Sequence, residues 1–157
     1  MAADAATIHA SAVLLGRKAA LIRGPAGSGK SRLVWDLLLA ATQGVLPFAR
    51  LVADDRAHVA ACAGRVLVRP AAELAGLIEI RGLGIRRLPY EPLAAVGLVV
   101  DLAAEGATRL PLPEAGNIVL EGVSLPRLVV ASGLPALPMV AAFLGSAGMS
   151  AAEVKEN

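Results

Sequence analysis

The fold class of this chain is indicated by one stretch, Ala19-Ala-Leu-Ile-Arg-Gly24-Pro-Ala-Gly-Ser-Gly29-Lys30-Ser31. Its part Gly24–Ser31 fits the pattern G-x-x-x-x-G-K-[ST] at every fixed position. An apolar strand precedes the loop, and Leu33, Val34 and Leu37 follow it at helical spacing. A strand, a glycine-rich loop and a helix in this order predict a phosphate-binding loop.

The residue types of this loop suit the binding of phosphate. Glycines let backbone N–H groups approach phosphate oxygens without a Cβ in the way, and the start of the following helix favours anions. Lys30 can reach the β- and γ-phosphates of a nucleotide, and the Ser31 hydroxyl can bind Mg²⁺. The predicted nucleotide-binding residues are Gly24, Pro25, Ala26, Gly27, Ser28, Gly29, Lys30 and Ser31.

The composition limits the kinds of protein that this chain can be. Its 157 residues are 56% hydrophobic, 18% charged and 3% aromatic, with a net charge of +2. Such a chain can bury a sizeable core, and it is too apolar to be intrinsically disordered. The few aromatics and the small net charge argue against a nucleic-acid partner. The single cysteine, Cys62, excludes an internal disulfide and predicts a buried thiol in a reducing cytoplasm.

One uncharged stretch, between Arg127 and Glu153, is long enough to span a bilayer. Pro135 and Pro138 would break a helix near its middle. A strand over 128–131, a loop over 132–138 and a short helix from Met139 describe it better. We therefore expect no membrane segment. Because the first residues lack the basic character of a secretory signal, we expect a cytoplasmic protein.

Further apolar and alternating runs predict a chain of mixed strands and helices. We expect strands at 7–15, 18–23, 51–53, 58–62, 65–69, 77–80, 97–102, 117–120 and 127–131. A helix should run from Lys30 to about Gln43, and a short one from Pro70 to Gly76. This mixture predicts an α/β class with a partly antiparallel sheet. No linker divides the chain, so residues 1–157 should form a single domain.

Two acidic positions compete for the metal-binding role that accompanies a phosphate loop. Asp54 and Asp55 follow the apolar run Leu51–Ala53. One carboxylate of such a pair can hold the metal while the other accepts a proton from the attacking hydroxyl. Asp101 follows the run Leu98–Val100 in the same way. Spacing alone does not choose between these positions.

Other polar residues interrupt apolar segments. Glu79 and Arg81 are two residues apart in one predicted strand, which would place them on the same face. Charges in such a segment need a partner, so the two either pair with each other or serve a metal–phosphate site. A lone histidine in an apolar strand, such as His9, usually has a structural role.

Four segments together resemble the catalytic domain of HPr kinase/phosphorylase, a bacterial enzyme that acts on a serine of the phosphocarrier protein HPr. In the family's order they are Ile8-His-Ala10, the loop Gly24–Ser31, Leu51-Val-Ala-Asp-Asp55 and Ile78-Glu-Ile-Arg-Gly-Leu-Gly-Ile85. The resemblance spans about residues 7–145, and we expect a short form without the family's N-terminal domain. It implies a P-loop-containing domain with a mixed sheet, similar to the HPr kinase/phosphoenolpyruvate carboxykinase-like core.

The resemblance also implies an activity: an ATP- and Mg²⁺-dependent serine protein kinase acting on HPr or an HPr-like carrier. Such enzymes regulate carbon metabolism through the phosphotransferase system and assemble as homo-oligomers. Asp55 would accept the serine proton with Asp54 as adjacent support, and Asp101 would lose its claim to the metal. Ser31 and Glu79 would bind Mg²⁺. The implied catalytic residues are His9, Lys30, Asp54, Asp55, Arg81 and Arg109.

One segment departs from the family's pattern. The family's arginine-bearing loop, which is tied to dephosphorylation, would fall near Val130–Pro135, and this stretch has no charged side chain. We therefore expect little phosphorylase activity. Two alternatives remain open: a nucleotide-binding regulatory module without kinase activity, and a small-molecule P-loop kinase.

Overall fold

The computed structural model describes residues 6–105 and 113–146. The strands are β1 Ile8–Leu15, β2 Lys18–Arg23, β3 Ala49–Ala53, β4 Arg56–Cys62, β5 Arg65–Pro70, β6 Leu77–Ile80, β7 Gly84–Arg87, β8 Ala94–Leu102, β9 Asn117–Leu120 and β10 Val123–Val130. The α-helices are α1 Lys30–Thr42 and α2 Leu137–Gly145. Short 3-10 helices lie at Ala72–Leu74 and Pro113–Gly116.

The main sheet is mixed, as the sequence predicts. It runs in the order β2-β1-β4-β5-β8-β10-β9, with β3 on β1, and a parallel pairing of β2 with β8 closes five of its strands into a ring. The first residues of β1 pair with β4 and its later residues with β3. β1 therefore lies beside both β3 and β4, the strands that flank the acidic pair.

Two apolar cores form on opposite faces of this sheet, because side chains alternate along each strand. On β2, Ile22 belongs to the core that packs against α1, whereas Leu21 belongs to the core enclosed by the strands. Helix α1 buries Leu33, Val34 and Leu37 in the first core, as its sequence pattern predicts. This packing fixes the start of α1, and with it the phosphate loop.

A separate two-stranded ribbon, β6–β7, lies beside α1. Its register pairs Glu79 with Ile85, and Ile78 is buried in the core that α1 also forms. Leu83 and Ile85 project from the ribbon and are exposed. The ribbon therefore places Glu79 next to the phosphate loop while it offers an exposed apolar tip.

Several local predictions are wrong. Pro70 does not begin the predicted short helix, because it is the last residue of β5, opposite Ala57; the helical turn within 70–76 is the 3-10 helix at Ala72–Leu74. β7 was not predicted, because the glycines around it indicate a turn. Cys62 is exposed, since it ends β4 beside a hairpin turn.

The C-terminal stretch has the predicted form, a strand, a loop and a short helix. Within residues 6–105 and 113–146, no helix is long and apolar enough to cross a membrane.

Candidate active site

The phosphate-loop sequence forms a tight connection between β2 and α1. Ser28 N–H donates to the Pro25 carbonyl at 3.0 Å, and Gly29 precedes the helix with φ +99°. A Cβ on Gly24 would lie 2.5 Å from Ser28 Oγ and 3.0 Å from the Leu102 carbonyl oxygen, so this position requires glycine. The loop thus packs against the end of β8 and directs the first turn of α1 into a cleft.

Lys30 lies folded back on that loop. Its ammonium donates to the carbonyls of Gly24 at 2.8 Å and Pro25 at 3.0 Å, and the residue is buried. Burial lowers the pKa of Lys30, and the nearby carboxylates of Asp55 and Asp54 oppose that shift. The side chain is therefore a positive charge held at the mouth of the loop.

Asp54 is buried and fully hydrogen-bonded. Its carboxylate accepts from Ser11 Oγ at 2.8 Å, from Ser31 Oγ at 2.7 and 2.9 Å, and from Glu79 N–H at 3.1 Å. These donors come from β1, from α1 and from the ribbon. One carboxylate thereby holds three elements together around the phosphate loop.

Asp55 has a different environment, although it is the next residue. Its φ of +68° turns the chain at the end of β3, and its side chain is 61% exposed. The Asp55 carboxylate lies 2.8 Å from His9 Nε2, which can donate to it, and its backbone N–H donates to Ser11 Oγ at 3.3 Å. The pair therefore combines a buried carboxylate beside Ser31 with an exposed one beside a histidine.

Lys30, Ser31 and Asp55 line a cleft of about 840 Å³, and Asp54 lies outside its lining. Its polar lining includes His9, Lys30, Ser31, Asp55, Glu79 and Arg81, together with Ala26, Gly27 and Gly29 of the loop. Gly24, Pro25 and Ser28 are outside this lining, and Ser28 Oγ is buried with no hydrogen-bond partner among the described residues. Arg109 lies outside the part of the chain that the structure describes.

Glu79 and Arg81 do not have the predicted relation. Arg81 follows β6 in a turn, so the two do not share a strand face, and they form no ion pair within the described ranges. Both side chains line the cleft instead. The turn is what separates them, because the ribbon reverses direction directly after Ile80.

Asp101 forms a separate cluster. Its carboxylate accepts from Arg23 at 2.8 and 2.9 Å and from Arg127 at 2.5 Å. The two guanidinium groups lower the pKa of Asp101 although burial opposes this. Since both of its oxygens are occupied by arginines that join β2, β8 and β10, Asp101 is a structural residue, and the carboxylate that contacts Ser31 is that of Asp54.

Two further residues of the site were not predicted. Ser11 contacts Asp54 and the backbone of Asp55, and it is completely buried. A buried serine inside an apolar strand needs a hydrogen-bond partner, so the position of Ser11 in the sequence could have indicated a buried polar contact. Trp35, a half-buried residue of α1 that packs against the main core, lines the cleft.

Oxygen groups suited to Mg²⁺ are present, but the described residues contain no group of three or more His, Cys, Asp or Glu that could hold a metal by itself. Mg²⁺ in phosphoryl-transfer sites is bound by one or two protein oxygens together with substrate phosphates. Ser31 and Glu79, which both line the cleft, provide such an incomplete set.

The comparisons with known proteins support the fold. No family model matches the chain, and no curated protein matches it. A solved structure of HPr(Ser) kinase/phosphatase from Coxiella burnetii matches with a TM-score of 0.70, over 89% of this chain and 88% of that one. The two share a fold. Their sequences are 21% identical. The mixed α/β architecture is therefore similar to that of an HPr kinase, as the sequence predicts.

Proposed function

We propose that this protein is an ATP- and Mg²⁺-dependent serine protein kinase that phosphorylates HPr or an HPr-like carrier. The observation that carries the proposal is the convergence of Lys30, Ser31 and Asp55 at one cleft, with His9 on the exposed carboxylate and the buried Asp54 bonded to Ser31. The fold similarity to an HPr(Ser) kinase/phosphatase gives independent support.

The loop and the first turn of α1 would bind the nucleotide phosphates. The first N–H groups of a helix have no intrahelical acceptors and attract anions. Lys30 would exchange its two loop carbonyls for phosphate oxygens, which are better partners for an ammonium group. The hydrogen bonds of Lys30 to the loop carbonyls would thus keep its positive charge at the proposed phosphate site.

Ser31 and Glu79 would hold Mg²⁺ with the phosphates. Their hydroxyl and carboxylate oxygens fit a hard cation, and Ser31 already lies 2.7 Å from Asp54. When bound, Mg²⁺ offsets the negative charge of the phosphoryl group during transfer. Because the buried Asp54 contacts Ser31 and the Glu79 backbone, it orients both of these ligands.

Asp55 would act as the general base. It is the exposed carboxylate of the pair, so an acceptor serine can reach it from the cleft. The contact with His9 and the bond from its own N–H to Ser11 limit its position. Asp55 would accept the serine proton as the oxygen attacks the terminal phosphorus, while Lys30 and the loop N–H groups stabilise the charge on the phosphoryl group. Arg81 and Arg109 remain predicted contributors to that stabilisation.

Nucleotide binding tests the first step of this proposal. Lys30→Ala removes a charge-assisted phosphate contact worth roughly 1.5–3 kcal/mol, so ATP affinity should fall by about 10- to 100-fold. Titration of a fluorescent ATP analogue measures this, with Lys18→Ala as a control because Lys18 begins β2 and lies outside the cleft. Wild-type affinity in Lys30→Ala would contradict the assignment. Binding by the wild type without transfer to any carrier would favour the regulatory-module alternative.

A further inference from the structure

The outer face of the β4–β5 hairpin begins beside the reaction cleft. His9, which contacts the Asp55 carboxylate, is the direct cross-strand partner of Arg56, the first residue of β4. Partners in an antiparallel pair lie on one face of the sheet, so His9 and Arg56 share a face. Ala57, the next residue, belongs to the core enclosed by the strands. Arg56 therefore lies on the outer face, directly after the proposed base.

Two further arginines lie on the same outer face. The register pairs Arg69 with His58 and Arg65 with Cys62, and both partners are an even number of residues from Arg56. The valines of β5 that alternate with these arginines are buried in the core enclosed by the strands, so the arginines lie on the other side. Arg56, Arg65 and Arg69 are all exposed. We call the surface that they form the arginine face.

The arginine face has no acidic residues of its own. The sequence contains no Asp or Glu between Asp55 and Glu73. None of the three arginines forms an ion pair within the described residues, whereas Arg23, Arg50 and Arg127 are each paired with a carboxylate. The cations extend over six residues of β4, or about 20 Å. A surface of one sign and of this extent favours a partner of the opposite charge.

The position of the arginine face suits contact with a protein acceptor. Ala60 and Leu67 are direct cross-strand partners between the arginines, and they add a small apolar strip. A protein interface covers about 800 Å² on each partner, which is a patch about 30 Å across. A protein that brings a serine to Asp55 therefore covers more surface than the cleft. The arginine face lies outside the lining of the cleft, so a bound nucleotide would leave it accessible.

We propose that the arginine face docks an acidic surface of the protein that receives the phosphate. This inference rests on the proposed function. Because the cations begin beside Asp55 and end near the β4–β5 turn, the acidic side chains of the partner should lie within about 20 Å of its acceptor serine, on one side of it. Charges of this kind accelerate the encounter and disfavour basic partners, although each exposed pair alone contributes little.

The test uses the full chain with ATP, Mg²⁺ and an HPr-like phosphocarrier of net negative charge. The double variant Arg65→Glu/Arg69→Glu reverses two charges outside the cleft, and Arg56 is left unchanged because it adjoins Asp55. The Kd and KM for the carrier should rise about 10- to 100-fold, while kcat and ATP affinity stay unchanged. Added salt should weaken carrier binding by the wild type more than by this variant. Anisotropy of a fluorescently labelled carrier measures binding separately from transfer.

Two further variants complete the test. The neutral Arg65→Gln/Arg69→Gln should raise Kd and KM by less than the charge reversal does, which a loss of folding would not produce. Arg17→Glu/Lys18→Glu is the matched control, because these exposed residues lie at the end of β1 remote from His9. It should leave the Kd and KM for the carrier unchanged.

The outcomes separate this inference from the kinase proposal. Unchanged carrier binding in Arg65→Glu/Arg69→Glu, or an equal loss in the control variant, would overturn the inference. Tighter binding of a DNA duplex than of the carrier, lost in the same variant, would also overturn it. Charge-dependent carrier binding without transfer would contradict the kinase proposal and support the docking surface, and the absence of both binding and transfer would overturn both.

Discussion

Asp54 and Asp55 are adjacent in the sequence, but their carboxylates differ in burial and in hydrogen bonding. Asp54 is 5% exposed and accepts hydrogen bonds from three residues, so its lone pairs are occupied. Among the described residues, Asp55 has one side-chain hydrogen-bond partner, His9, and it faces the cleft. The left-handed backbone of Asp55 produces this difference by turning the second carboxylate away from the first.

The pair leads to a prediction about transfer. Asp55→Asn keeps the shape but cannot accept a proton, so transfer should fall by roughly 10²–10⁴-fold while ATP still binds. Asp54→Asn should retain more transfer and lose thermal stability, because its amide N–H₂ would face donors. Initial rates with labelled ATP and thermal unfolding measure both effects. A larger loss of transfer in Asp54→Asn would mean that the base is the other carboxylate.

The backbone of Asp55 leads to a second prediction, on stability. A left-handed conformation costs a residue with a side chain roughly 1 kcal/mol relative to glycine. Asp55→Gly should therefore abolish transfer and leave the fold as stable as the wild type or up to about 1 kcal/mol more stable. Urea unfolding of the two proteins gives the comparison. A clearly destabilised glycine variant would show that the His9 contact contributes more than the backbone strain.

At the scale of elements, Asp101 joins β8 to its neighbours on both sides through Arg23 and Arg127. Removing one member of a buried ion cluster leaves the others unpaired, so Asp101→Asn should lower the free energy of unfolding by about 3 kcal/mol. Asp36→Asn, in an exposed pair with Arg32, should change it by only about 0.5 kcal/mol.

The contribution of Asp101 to the free energy of unfolding should depend on pH in a definite direction. Because the pKa of Asp101 is lowered in the folded protein, its carboxylate stabilises the fold above the ordinary value of 3.8. This contribution is lost as the pH falls through the lower folded pKa. The free energies of unfolding of the wild type and of Asp101→Asn should therefore differ at neutral pH and converge in acid. A difference that is constant into strong acid would rule out the ionised cluster as its source.

Local patterns predicted most of the elements but not the contacts between them. The strand, loop and helix around Gly24–Ser31 follow from local spacing and are present. β7 has no such pattern, since Gly82 precedes it and Gly84 is its first residue, and its pairing with β6 supplies the ladder. The bonds of Ser11 to Asp54 join residues far apart in the chain, so no local rule predicts them.

At the scale of the whole molecule, the arrangement of cations predicts the direction of the reaction. The loop over residues 131–136 carries no charged side chain, and Arg127 is held by Asp101. Phosphorolysis requires phosphate to approach a phosphoserine, and fixed cations must offset the repulsion between these anions. We expect phosphorolysis to be far slower than kinase transfer. Pyrophosphate release from phosphoserine carrier, Mg²⁺ and millimolar phosphate measures it, and release at the kinase rate would refute this prediction.

The proposed reaction transfers the terminal phosphoryl group of ATP to a serine of a protein. The most direct measurement incubates the full chain with Mg²⁺, γ-labelled ATP and an HPr-like phosphocarrier, and then locates the label on the carrier by mass spectrometry. We expect label on one serine, with the signal lost in Lys30→Ala and strongly reduced in Asp55→Asn. An unlabelled carrier under conditions in which the chain binds ATP, or equal labelling by the wild type and Asp55→Asn, would contradict it.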